Sequence, residues 1–126
     1  MVRMAGSWTV RQVERLLDEA AVAEIVVLTD TGSFTRDLDL LRSIADPASE
    51  FTEGPVPNKA GVVSVHLAEP RTVYLSSVTE SGKGLYVKAN FTPGGVPQRH
   101  YARSEQAGSA PPQMYEAAWP RTRPRS

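Results

Sequence analysis

Cysteine is absent from the 126 residues, which removes disulfides, thiolate nucleophiles, cysteine-based zinc sites and iron–sulfur clusters together. Histidine is nearly absent: His66 has no second ligand at i+2 and His100 none at i+4. Both are expected on a surface or a sheet face, and no metal is expected. Nucleophilic catalysis needs a hydroxyl or thiol beside a base that a third group orients. No serine lies in a GxSxG setting, so no catalytic residue can be named. The glycines of TDTGS, ESGKG and TPGGVP form neither a P-loop nor a GxGxxG element opening a helix. No cofactor is expected. Asp30, Asp37 and Asp39 cluster near a turn without EF-hand spacing, and turn or capping roles account for them.

Long apolar runs are missing as well. Stretches such as Ile25–Leu28 fall far short of the ~20 residues that span a bilayer. No apolar segment follows Arg3 near the start, so a secretory leader is not expected and a cytoplasmic location is the default.

What remains is ordinary globular material. Apolar residues make up 40% and charged residues 22%, which favours one folded domain over a disordered chain. We place that domain at residues 1–119 and a basic Pro/Arg tail, with Arg121, Arg123 and Arg125, at 120–126. Net charge is zero but unevenly spread. Residues 1–53 hold 5 basic and 10 acidic side chains, and residues 54–126 hold 9 and 4. The halves thus carry −5 and +5, a balance suited to neutralisation within the fold or across a dimer. It is weak beside a typical nucleic-acid-binding domain.

Thr9 through Gln12 forms a capping-box pattern, and Val13, Leu16, Leu17, Ala20 and Ala21 recur at helical spacing. A helix is expected over about 10–23. Glu24–Thr29 is rich in β-branched residues and reads as a buried strand. Phe34–Asp39 alternates like a second strand, or Asp37 caps a short helix through Leu38, Leu41 and Ile44. Residues 46–60 hold three prolines and a glycine and read as a loop. Three β-rich runs follow, 61–67, 71–79 and 85–91. Matched alternation puts Val63, Val65, Leu67, Val73, Leu75, Leu85, Val87 and Phe91 on one buried face against the helix bearing Leu17. A three-residue loop Gly82–Lys83–Gly84, pairing Leu75 with Phe91, keeps that face uniform, and Glu69–Pro70–Arg71 joins the first two runs. Residues 98–106 read as one or two helical turns, and 114–119 as a short strand or an anchor built on Tyr115 and Trp119.

The fold class expected is α+β: an N-terminal helix on a four- or five-stranded, mainly antiparallel sheet, with an irregular C-terminal arm. Alternation gathers Ser64, His66, Tyr74, Ser76, Tyr86, Lys88 and Asn90 on the face opposite the core. Two aromatics, a cation and amide or hydroxyl groups could stack a planar group and hold a phosphate or acidic side chain. Tyr74, Tyr86, Lys88 and Asn90 are therefore the candidate ligand-binding residues, with Arg99 and Arg103 reaching over them. The plainer readings are a wet outer face or a face covered by residues 97–119. Three function classes stand. The first is a non-enzymatic binding protein of inhibitor, immunity or adaptor type, acting through a protein partner or self-association. The second binds a nucleotide-like ligand or single-stranded nucleic acid on the sheet face, nucleic acid being the less expected partner. The third is an enzyme whose site another subunit completes.

Overall fold

The computed structural model of the protein describes residues 8–45, 49–57, 59–105 and 115–120. Helix α1, Val10–Thr31, starts at the expected capping box: Thr9 accepts from the Gln12 backbone N–H while Gln12 accepts from the Thr9 N–H. It does not stop at residue 23. The run expected as a strand from Glu24 to Thr29 is the second half of this helix. Val13, Leu17, Ala20, Glu24, Val27 and Leu28 keep the helical period and all are buried. A short β-branched run cannot by itself distinguish strand from helix, and here the packing of the stripe decides. Gly32 ends α1 in the left-handed conformation at φ 89°, with its N–H donating to the Leu28 carbonyl.

No strand forms at Phe34–Asp39. Phe34 is buried in the connection, and Asp37 caps α2, Leu38–Ile44, by accepting from the Leu40 N–H. The loop expected over 46–60 holds a short strand, β1, Glu50–Glu53. Pro47 lies outside the described residues. Four more strands follow: β2 Val62–Glu69, β3 Thr72–Val78, β4 Gly84–Asn90 and β5 Gln98–Ser104. They form one sheet in the order β1-β2-β3-β4-β5, parallel between β1 and β2 and antiparallel elsewhere. The architecture is α+β, with α1 packed across β2, β3 and β4.

The β2–β3 register matches expectation, with Val65 opposite Leu75 and Leu67 opposite Val73, although a bulge at Ala68 shortens the turn itself. The β3–β4 register does not. Leu75 faces Val87 rather than Phe91, and Ser77 faces Leu85. The connection is the longer Thr79–Lys83 turn, in which the Thr79 N–H donates to the Lys83 carbonyl and Thr79 Oγ1 accepts from the Lys83 N–H. Gly82, at φ 93°, takes the left-handed position instead of Gly84. The shift is an even number of residues, so the buried face survives it. Val63, Val65, Val73, Leu75, Leu85 and Val87 are all fully buried with Leu17, and Leu67 and Phe91 pack partly against them.

Residues 98–104 are strand β5 rather than helical turns. Pairing along β4 supplies every inner-edge hydrogen bond a strand needs, and Tyr101 fills the position next to Val87 on the helix side. Beyond β5, Glu116 makes one antiparallel bridge with Tyr101.

Candidate functional site

Directly opposed residues of an antiparallel ladder project from the same face, so the registers define the outer face of the sheet row by row. One row runs Ser64, Ser76, Tyr86, Ala102; the next runs His66, Tyr74, Lys88, His100; Thr72, Asn90 and Gln98 make a third. Tyr74, Tyr86, Lys88 and Asn90 therefore share this face. Lys88 Nζ stands 5.8 Å from the Tyr74 ring centre and His66 6.2 Å from it.

Arg99 and Arg103 do not join them. They oppose Ala89 and Leu85, both buried on the helix side, so β5 carries the two arginines on the other face. The expectation that they reach over the tyrosines assumed a helical segment here. Strand alternation brings His100 and Ala102 to the outer face in their place.

The outer face is not an open stacking platform. Tyr86 is 2% exposed and Ser64 and Ser76 are equally shut off, whereas Tyr74 is half-buried. The Tyr86 ring folds back over Gly84, where any Cβ would meet its hydroxyl. Tyr115, from the C-terminal arm, lies 6.1 Å from the Tyr74 ring. Burial, and then the neighbouring Tyr74 and Tyr86, push the Tyr115 phenol well above its ordinary range, and burial raises that of Tyr86. Four buried polar atoms on or over this face make no hydrogen bond: Ser64 Oγ, Tyr86 OH, Asn90 Oδ1 and Tyr115 OH.

The arm then crosses to the helix side. The backbones of Tyr101 and Glu116 exchange two hydrogen bonds of 2.7 and 2.6 Å. Trp119 packs 4.7 Å from the Tyr101 ring, and its indole N–H donates to Asp18 Oδ2 of α1 at 3.2 Å. Tyr115 and Trp119 thus act as the anchors expected of them, one on each face of the sheet; Met114 lies outside the described residues.

A second surface, missed in the sequence, lies on the helix layer. A groove of about 560 Å³ runs between α1 and the end of α2, with Val22, Ala23, Ile44 and Ala45 as its apolar part and Arg11, Glu14, Arg15, Asp18 and Glu19 around them. Val22 is 51% exposed and Ile44 37%, and one turn away on each helix Val26 and Leu40 are exposed to a similar degree. Reading Glu24–Thr29 as a strand hid this pattern. Only on a continuous helix do Val22 and Val26 fall together, off the buried stripe.

Glu24 is the one carboxylate sealed in the described core. Its Oε1 accepts from the Thr35 N–H at 2.8 Å and its Oε2 has no partner. Burial raises its pKa to about 7, against a smaller opposing effect of the Thr35 hydrogen bond. Among the described residues no three metal-ligating side chains come together, and no helix is long and apolar enough to cross a membrane. No protein-family model, curated protein or solved structure matches the chain.

Proposed function

We propose that the chain is a non-enzymatic binding module, of inhibitor, immunity or adaptor type, that works by docking a partner protein on its helix layer. The exposed apolar strip on α1 and α2 carries this reading. Single exposed aliphatics need no explanation, but Val22 and Ile44 line one groove and each helix repeats the feature one turn on. A groove between two helices, apolar within and bordered by both signs of charge, fits an amphipathic helix with apolar residues at i and i+4. Arg11 and Arg15, on successive turns of α1, and Glu14 and Asp18, likewise a turn apart, give the groove border both signs of charge to set against those flanking the partner's apolar stripe.

The competing readings have less behind them. A nucleotide-like ligand would need ring faces that Tyr86 does not offer. Glu24, a carboxylate whose proton affinity burial raises, is enclosed where no substrate reaches it. Native mass spectrometry of the protein purified from its host tests the proposal. A protein partner should accompany the wild-type chain and be lost from a Val22→Asp/Ile44→Asp variant that melts at an unchanged temperature. A retained small molecule, or a partner indifferent to both substitutions, would refute it.

A further inference from the structure

We propose that proton binding at Glu24 regulates the helix-layer groove: the neutral side chain holds α2 against α1, and the ionised one releases it. This rests on the docking reading for what is regulated, though not for its test. Glu24 belongs to the buried stripe of α1 and is fully enclosed. Its Oε1 accepts from the Thr35 N–H at 2.8 Å, and its Oε2 has no partner. Thr35 stands in the connection from α1 to α2. Its Oγ1 accepts from the Asp37 N–H, and Asp37 in turn caps α2 through the Leu40 N–H. Ile44 of α2 and Ala45 at its C-cap form the groove wall that faces Val22 of α1. One side chain of α1 thus reaches the segment that positions the opposite wall.

The groups that cover Glu24 are not equally tied down. α1 and the sheet share the main core. The connection is held by the buried Phe34 and by its N–H, which donates to the Pro70 carbonyl at 2.8 Å. α2 has seven residues, and Leu41 alone among them is buried. An ionised carboxylate with one oxygen unpartnered and no water is costly to keep enclosed. The cover that opens at the lowest free energy is the short helix with its connection.

No neighbouring charge offsets that cost. On the connection and α2, Arg36 faces Glu53 of β1 at 3.9 Å, Asp37 is the cap, and Asp39 pairs with Arg42 at 2.7 Å. Glu50 of β1 and Glu69 and Arg71 beside Pro70 are exposed. β2, β3 and β4 turn only uncharged side chains toward α1. Arg99 and Arg103 share that side but sit on β5, beyond the strands under α1. Burial and the Thr35 N–H, and none of these charges, set the proton affinity of Glu24. Its pKa is about 7 in the closed arrangement, against 4.5 for the group in water. The hold on α2 is therefore complete below about pH 4.5 and is lost as pH rises through 7. These two values make opening roughly 70-fold more favourable at pH 8 than at pH 5.

Hydrogen exchange of the full chain alone, at pH 5 and pH 8 and corrected for the intrinsic rate of each amide, tests this. The reporters are the Leu41 N–H, bonded to the Asp37 carbonyl, and the Ala45 N–H, bonded to the Leu41 carbonyl. Both should be protected at pH 5, always less than Val87, and at pH 8 should come within about tenfold of the unprotected rate. In Glu24→Gln their protection should be the same at both pH values; if that variant fails to fold, Glu24→Met takes its place. Unchanged protection in the wild type, an equal fall in the folded variant, or α2 amides as protected as Val87 would overturn the proposal. No partner enters the measurement, so such a result would leave the docking reading standing. A partner indifferent to Val22→Asp/Ile44→Asp would refute that reading and leave the opening of α2 intact.

Discussion

A carboxylate in an apolar interior is stable only when something offsets its lost hydration, and Glu24 has a single backbone N–H to do so. Its folded pKa of about 7 stands above the 4.5 of the exposed group. The neutral form is thus favoured by folding. Its contribution is fully present below about pH 4.5 and is lost as pH rises through 7, where ionising the side chain costs roughly 3 kcal/mol. Chemical denaturation at pH 5 and pH 8 should show that loss in the wild type. In Glu24→Gln, which keeps an oxygen for the Thr35 N–H, the difference between the two pH values should shrink by about that amount. An identical pH difference in both proteins would remove Glu24 as its source. Gly61 makes a different kind of demand. It sits at φ 82° with the Trp8 indole lying against its Cα. Gly32 has a similar φ of 89° but open space where a Cβ would go. Gly32→Ala should therefore cost about 1–2 kcal/mol, the left-handed penalty alone. Gly61→Ala should cost clearly more, because Trp8 must also move. Equal urea midpoints for the two variants would deny the indole contact.

At the scale of elements, the sheet core is the feature most open to a direct test. Val87 is fully buried between Leu75 and Tyr101 in the ladder, under α1. Val87→Ala should lower stability by on the order of 1–3 kcal/mol in denaturant titration, through lost burial and a residual cavity. A cost within error of zero would mean the helix does not press on that strand. This face was legible in the sequence because its signal has period two and survives a register error: Leu75 pairs with Val87, not Phe91, yet both lie on the same side. Capping was legible too, since the Thr9–Gln12 and Asp37 signals are local. The second half of α1 was not, because Ile25–Thr29 is as compatible with a strand as with a helix until Glu24, Val27 and Leu28 are seen to continue the stripe from Leu17. β1 hid among prolines. β5, sequence QRHYARS, has only Tyr101 and Ala102 buried, too little apolar alternation to mark a strand. Misreading β5 is what misplaced Arg99 and Arg103. The four outer-face residues came out correctly because their strands did, but their enclosure depends on contacts with an arm distant in sequence.

For the whole molecule, the question is whether the arm belongs to the cooperative fold or sits on it as a separable strap. It touches both layers, with Trp119 bonded to Asp18 of α1 and Tyr115 set against Tyr74 of β3. Its backbone nevertheless joins the sheet through Glu116 alone among the described residues. Segments held by few backbone bonds open at a lower free energy than the core strands do. Native-state hydrogen exchange separates the two cases. In the wild type the Glu116 amide, bonded to the Tyr101 carbonyl, should be protected, but less than the amides of Leu75 and Val87. Trp119→Phe keeps a ring against Tyr101 and loses only the indole hydrogen bond, so it should speed Glu116 exchange by about tenfold or less, matching a loss near 1 kcal/mol. Trp119→Ala gives up the stacking as well and should bring Glu116 close to the unprotected rate, with Leu75 and Val87 little changed. Acceleration of Val87 in step with Glu116 would mean that the arm unfolds only with the sheet.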